Sequence, residues 1–168
     1  MKMKLRGIKE IKKLKGKRVL LRLGLNAAIK NGKVVGGYRI KQVIPTITHL
    51  KNKGAKVIVI GHMGRGKNDS LKPVSNYINH RTKIGFAPNL HDKNLPTIVE
   101  NMKEGTAIMF ENLRSDAGEV ENNLMFAKYL ASFGDIYVND AFPVAHRKHA
   151  SVVTLPKLLP SYIGFQFE

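Results

Sequence analysis

The chain has 168 residues, 43% hydrophobic and 24% charged, which fits one globular domain with a real core and excludes a disordered chain. It has no cysteine, excluding disulfides and thiolate metal sites, and no apolar run approaches the ~20 residues of a membrane helix. Twenty-nine Lys and Arg against 12 Asp and Glu give a formal charge of +17, which points to an anionic partner: a phosphorylated metabolite, nucleic acid or an acidic membrane surface.

The N-terminal stretch MKMKLRGIKEIKKLKGK is charged like the start of a signal peptide but is followed by no apolar core, so a cytoplasmic protein is expected. KRVLLRLGL (17–25) reads as a buried strand. Residues 38–54 carry Ile40, Val43, Ile44, Ile47 and Leu50 at helical spacing, with Gly54 as the C-terminal cap and Pro45 marking either a start or a kink. KVIVIGHMG (56–64) is a second strand, and 73–79 a short helix. A strand at 83–87 and a helix at 95–102 follow, then a strand at 106–114. A helix at 122–134, closed by a glycine, precedes a strand at 135–142 and a last short run, YIGFQF, at 162–167. Spacings of about 20 to 40 residues between strands suit βαβ crossovers rather than hairpins. The expected fold is one α/β domain over residues 1–168: a three-layer α/β/α, open, mostly parallel, Rossmann-like sheet.

In such sheets ligands bind beyond the carboxyl ends of the strands. The segments at those ends carry His62, Arg65, Arg114, His146, Arg147 and His149, and Arg39 opens the first helix. Converging guanidinium groups suit a small, multiply charged anion, since arginine pairs bidentately with carboxylate and phosphate. Gly61 to Lys67 imitates the start of a phosphate-binding P-loop, but Asn68 stands where a Ser or Thr would hold magnesium, and Pro73 follows closely. His146 and His149 flank Arg147 at three-residue spacing without a nearby carboxylate, which favours substrate binding or capping over a metal. Glu111, Asp116, Glu119, Asp135 and Asp140 offer carboxylates whose spacing identifies no general base.

Five ordered motifs carry a family resemblance. KRVLLRLGLN resembles the first-strand motif of phosphoglycerate kinases, ending R-V-D-F-N. YRI (38–40) with PTI (45–47) resembles their T-R-I and P-T-I, and GAKVIVIGHMGR their G-A-K-V-I-L-x-S-H-L-G-R. MFENLR resembles L-L-E-N-L-R, and YVNDAFPVAHRKHAS is similar to Y-V-N-D-A-F-x-x-A-H-R-x-H-A-S. The resemblance implies the N-terminal, phosphoglycerate-binding domain of an enzyme that transfers a phosphoryl group between 1,3-bisphosphoglycerate and ADP. It implies Asn26, Arg39, His62, Arg65, Arg114 and Arg147 as substrate-binding residues. Arg39 would also be catalytic, stabilising the transferring phosphoryl group, in a reaction driven by positioning and charge neutralisation. Magnesium ATP or ADP is expected only with a C-terminal domain that these residues do not include, and no metal or other cofactor is expected here.

The departures lie beside the implied ligand. The motif's aspartate and phenylalanine are Gly24 and Leu25, an acidic pair before T-R-I is Gly36 and Gly37, and S-H-L-G-R-P is GHMGRG. Ser115 and Asp116 follow Arg114, and Pro143 and Val144 replace a small pair after N-D-A-F. Such a chain is either a divergent or engineered variant put to another use, or a natural domain that tolerates weakened binding. The expectation is a monomer, not membrane-bound, that holds 3-phosphoglycerate or another small phosphorylated anion without turnover of its own. The alternative is a non-enzymatic binding module whose positive charge recruits nucleic acid or a protein partner; no nucleic-acid motif or aromatic platform accompanies that charge.

Overall fold

The computed structural model describes residues 5–66 and 68–167. Strand β1 (Arg18–Leu23) leads through a hairpin of β2 (Ala28–Lys30) and β3 (Lys33–Val35) to helix α1 (Tyr38–Asn52). Next come β4 (Lys56–Ile60), α2 (Lys72–Asn79), β5 (Gly85–Ala87), α3 (Leu95–Glu100) and β6 (Ala107–Phe110). Helices α4 (Ala117–Val120) and α5 (Leu124–Ala131), β7 (Ile136–Asp140) and β8 (Ser161–Ile163) complete the main elements. Six strands form one sheet in the order β5-β6-β4-β1-β7-β8, every pair parallel.

The period of two in each strand distributes the core between two layers. Val19, Leu21 and Leu23 of β1, with Val57 and Val59 of β4, face α1 and α2 through Ile40, Val43, Ile47, Leu50, Val74 and Ile78. Leu20, Ile58, Ile60, Ile108, Phe110 and Tyr137 face the other way, onto α3 and α5, which contribute Leu95, Val99, Phe126, Ala127 and Leu130. Apolar residues on both faces are what a parallel sheet requires when helices cover both sides. No helix of the described residues is long and apolar enough to cross a membrane.

Three local features sharpen the sequence expectations. Helix α1 starts at Tyr38, so Pro45 lies inside it; the ring removes one donor, and burial of the apolar stripe outweighs that loss. Of 162–167 only the first part is strand, since Phe165–Phe167 forms a 3-10 turn. Helix α5 ends at Ala131 with Ser132 as its cap; Gly134 is not in the left-handed region and instead allows close packing, because a Cβ there would stand 2.8 Å from Leu20 Cγ. Gly54 does close α1: it has φ +78°, and its N–H donates to the Lys51 carbonyl at 2.9 Å. The β2–β3 hairpin was signalled by Asn31-Gly32, both at positive φ, the pair such tight turns favour.

Candidate functional site

Because the sheet is parallel, the loops after β1, β4, β6 and β7 emerge at one edge. Arg65 comes from the loop after β4, Arg114 from a 3-10 turn after β6 (Leu113–Ser115), and Arg147 from the segment after β7. These three, with His149, Ala117, Val120 and Glu121, line an open cleft of about 550 Å³. Asn112 shapes the β6 turn: its buried side chain accepts from the Arg114 N–H at 3.1 Å and from the Met63 N–H at 3.3 Å. Arg114 Nη1 donates to the Gly64 carbonyl, while its Nε is buried without a partner. Burial first, and then the positive charges of Arg147 and Arg65, push the Arg114 guanidinium below its usual pKa, with Glu119 opposing. Among the described residues no carboxylate forms an ion pair with Arg65, Arg114 or Arg147. Cations crowded in this way, with a donor left unpaired, are stabilised by an anion.

A second cleft, of about 570 Å³, opens beside Asn26, Gly36, Gly37 and Arg39. Arg39 stands exposed in the first turn of α1. Gly64 joins the two clefts, since its N–H donates to Asn26 Oδ1 at 3.2 Å and its carbonyl holds Arg114. The structure thus groups Arg65, Arg114 and Arg147 in one cleft and Asn26 and Arg39 in the other.

His62 lines neither cleft directly; it is 4% exposed. Burial, reinforced by Arg22, Arg114, His149 and Arg147, pushes it down to about 3. Arg22 escaped the sequence reading. Fully buried at the end of β1, it places Nη2 2.6 Å from His62 Nδ1 and donates from Nε to Ser151 Oγ at 3.0 Å and from Nη1 to the Leu23 carbonyl. Ser151 in turn donates to buried Glu119 from Oγ at 2.5 Å and from its N–H at 3.0 Å, and its carbonyl accepts from Tyr137 OH at 2.6 Å. The signal was available: an arginine inside an apolar strand is a buried charge that must find partners.

The carboxylates weighed in the sequence are engaged structurally. Asp135 pairs with Arg18 at 2.7 Å, and Asp116 caps α4 and meets His91 at 2.7 Å. Glu111 accepts from the Leu71 N–H at 2.7 Å and from Ser70 Oγ at 2.7 Å. Asp140 accepts from Thr46 Oγ1 at 2.5 Å and from the Gln166 N–H at 2.7 Å, tying α1 and the C-terminal turn to β7. His149 is buried beside Glu119 whereas His146 is exposed. The glycine-rich turn after β4 does not fit a nucleotide phosphate. Its Gly64 and Gly66 N–H groups are taken by Asn26 and Asp69, and the next helix begins only at Lys72. Lys67 lies outside the described residues.

The family model described as phosphoglycerate kinase matches residues 8–168. The chain belongs to the phosphoglycerate kinase family. It is 45% identical over 162 residues to the phosphoglycerate kinase of a Chelativorans species, covering 92% of this chain and 41% of that protein. The Aquifex aeolicus phosphoglycerate kinase is 44% identical over 165 residues, with 92% and 41% covered. Among solved structures, the Coxiella burnetii phosphoglycerate kinase superposes with a TM-score of 0.86 at 31% identity, over 98% of this chain and 42% of that one. The Pyrococcus horikoshii enzyme gives 0.87 at 28% identity, over 96% and 43%. The chain therefore spans about 40% of the length of the curated relatives it matches.

Against the phosphoglycerate kinase motifs, several departures meet one another in space. A Cβ at Gly24 would touch Pro143 Cδ at 3.5 Å, an ordinary contact, so two replaced positions are neighbours. A Cβ at Gly61 would stand 2.6 Å from Leu25 Cδ1, and one at Gly37 would overlap the Tyr77 hydroxyl. The glycines at 37 and 61 are matched by bulkier side chains packed into the space they leave.

Proposed function

We propose that these residues form the phosphoglycerate-binding part of a phosphoglycerate kinase. On this reading they hold 3-phosphoglycerate or 1,3-bisphosphoglycerate while the phosphoryl group passes to or from a nucleotide bound elsewhere in the longer protein. Arg65, Arg114 and Arg147 take the phosphate, with His62 beside them, and Asn26 and Arg39 take the carboxylate end. Arg39 neutralises charge as the phosphoryl group moves. The observation that carries the reading is the cleft of three arginines with no paired carboxylate among the described residues and with Arg114 Nε unsatisfied. The setting proposed is glycolytic, cytoplasmic and monomeric, and the magnesium nucleotide is assigned to the part of the enzyme beyond this match.

Calorimetric titration with 3-phosphoglycerate tests the reading. Weak but saturable binding is expected, and a coupled assay with magnesium ATP should stay at background for these 168 residues alone. Absence of binding at millimolar ligand overturns the substrate assignment. Turnover that disappears in Arg39→Ala overturns the claim that this part is inactive alone.

A further inference from the structure

Arginine has only donors, five N–H groups and no lone pair to offer. The 2.6 Å contact between Arg22 Nη2 and His62 Nδ1 therefore requires Nδ1 to be the acceptor, so the ring proton resides on Nε2. An imidazolium, which carries a proton on both nitrogens, is incompatible with that contact. Arg22 cannot turn away: Nε is held by Ser151 Oγ and Nη1 by the Leu23 carbonyl, and the residue has no exposed surface. Ser151 is itself fixed by two hydrogen bonds to buried Glu119 and one from Tyr137. His62 Nε2 has no partner among the described residues. The residue keeps a small exposed surface, 4%. The His62 ring lies 6.1 Å from that of His149, which lines the arginine cleft.

We propose that Arg22 is a positioning residue: it holds His62 as the neutral Nε2–H tautomer, so that the imidazole offers a hydrogen bond, and no further charge, to the anion in the arginine cleft. This rests on the reading of that cleft as a phosphate site. The device suits a cleft that already concentrates Arg65, Arg114 and Arg147, because a fourth cation would raise the cost of the empty site. A neutral donor still adds direction to the binding of phosphate oxygens. The strong depression of His62 agrees with it: burial acts first, and Arg22, Arg114, His149 and Arg147, the charged and titratable groups facing the ring, all oppose protonation. Glu119 lies behind Arg22 and Ser151, beyond hydrogen-bonding reach of His62, and lends its charge to Arg22 through Ser151.

The test begins on the unmodified protein without ligand, by long-range proton–nitrogen spectra of the imidazole rings, with His62 assigned by its loss in His62→Gln. The expected result is a single Nε2–H tautomer that stays neutral down to about pH 5. An Nδ1–H tautomer, or titration near the ordinary value of 6.5, overturns the proposal. Binding of sulfate, which does not titrate in this range, is then followed from about pH 8 to pH 5. In Arg22→Met, His62 should regain titration near its ordinary range, and sulfate should bind about tenfold more weakly at the upper pH and recover as pH falls. Arg22→Lys, which keeps a donor opposite Nδ1, should retain the tautomer. A loss of affinity in Arg22→Met that is equal at every pH, with the tautomer unchanged, makes Arg22 mere structural support and overturns the proposal. Should Arg22→Met not fold, the spectrum of the unmodified protein decides alone. Because that spectrum needs no ligand, sulfate binding without 3-phosphoglycerate binding would sink the substrate reading and leave this one standing.

Discussion

The two clefts that meet at Gly64 are built on opposite principles. At the arginine cleft, side chains are anchored from behind: Arg114 by the Gly64 carbonyl, and the neutral His62 beside the cleft by a buried arginine that a serine and a carboxylate hold in turn. The neighbouring cleft is lined by Gly36 and Gly37 with exposed Arg39, and it offers a ligand fewer fixed polar groups. The arginine cleft keeps its three motif arginines, whereas Gly36 and Gly37, which stand where the family motif has an acidic pair, line the other. Strong, long-range charge attraction tolerates changes of shape nearby. Recognition of a hydroxyl or carboxylate depends on individual acceptors and donors, and those are what the glycines remove.

The comparison breaks most sharply if the arginine cleft is disabled. Arg114→Ala should weaken inorganic phosphate and 3-phosphoglycerate alike, by about tenfold to a hundredfold, since a charge-assisted hydrogen bond contributes roughly 1.5–3 kcal/mol. Calorimetry with both ligands checks this, and a loss confined to 3-phosphoglycerate would show that the cleft is not the phosphate site.

The glycine-lined cleft should instead respond through stability. Gly37 has φ +51°, and a side chain there would overlap Tyr77. Gly37→Ala should cost about 2–3 kcal/mol from left-handed strain and overpacking together. Denaturant melts should show Tyr77→Ala restoring part of that loss in the double variant; purely additive losses would mean that the two positions are uncoupled.

Acid sensitivity should trace to the buried histidines behind the arginines. His62 is held at about 3, below its unfolded value of 6.5. The unfolded chain therefore binds a proton that the folded one refuses. Stability from this source is complete above 6.5 and is lost as pH falls toward 3, by about 1.4 kcal/mol per pH unit within that window. His149, lowered chiefly by burial, adds in the same direction. Melts between about pH 7 and 5 should show this slope reduced in His62→Gln, and an unchanged slope would assign the effect elsewhere.

The smallest effect concerns discrimination. Gly24→Asp supplies an acceptor for a substrate hydroxyl, and its Cβ would make only an ordinary contact with Pro143. Gly24→Asp should therefore raise the preference for 3-phosphoglycerate over inorganic phosphate by about threefold to tenfold in the affinity ratio. An unchanged ratio would show that residue 24 does not face the ligand.

Much of this architecture was written locally in the chain. Apolar runs at βαβ spacing dictate a parallel sheet, and that topology alone brings the loops bearing Arg65, Arg114 and Arg147 to one edge, because every strand must emerge the same way. Gly54 also announced its cap, since the left-handed turn it makes depends on nearest neighbours. What local patterns could not reveal were contacts between residues distant in sequence. Pro45 lies inside α1 because burial of the helix's stripe overrides a local preference. Gly134 serves packing against Leu20 rather than capping. Arg22 meets His62 40 positions away and Ser151 129 positions away. Sequence shows that a charge sits in an apolar strand, but only the folded chain decides which groups satisfy it. A buried charge is stabilised by geometry within hydrogen-bonding distance, and that geometry exists only once the sheet has brought its strand ends together.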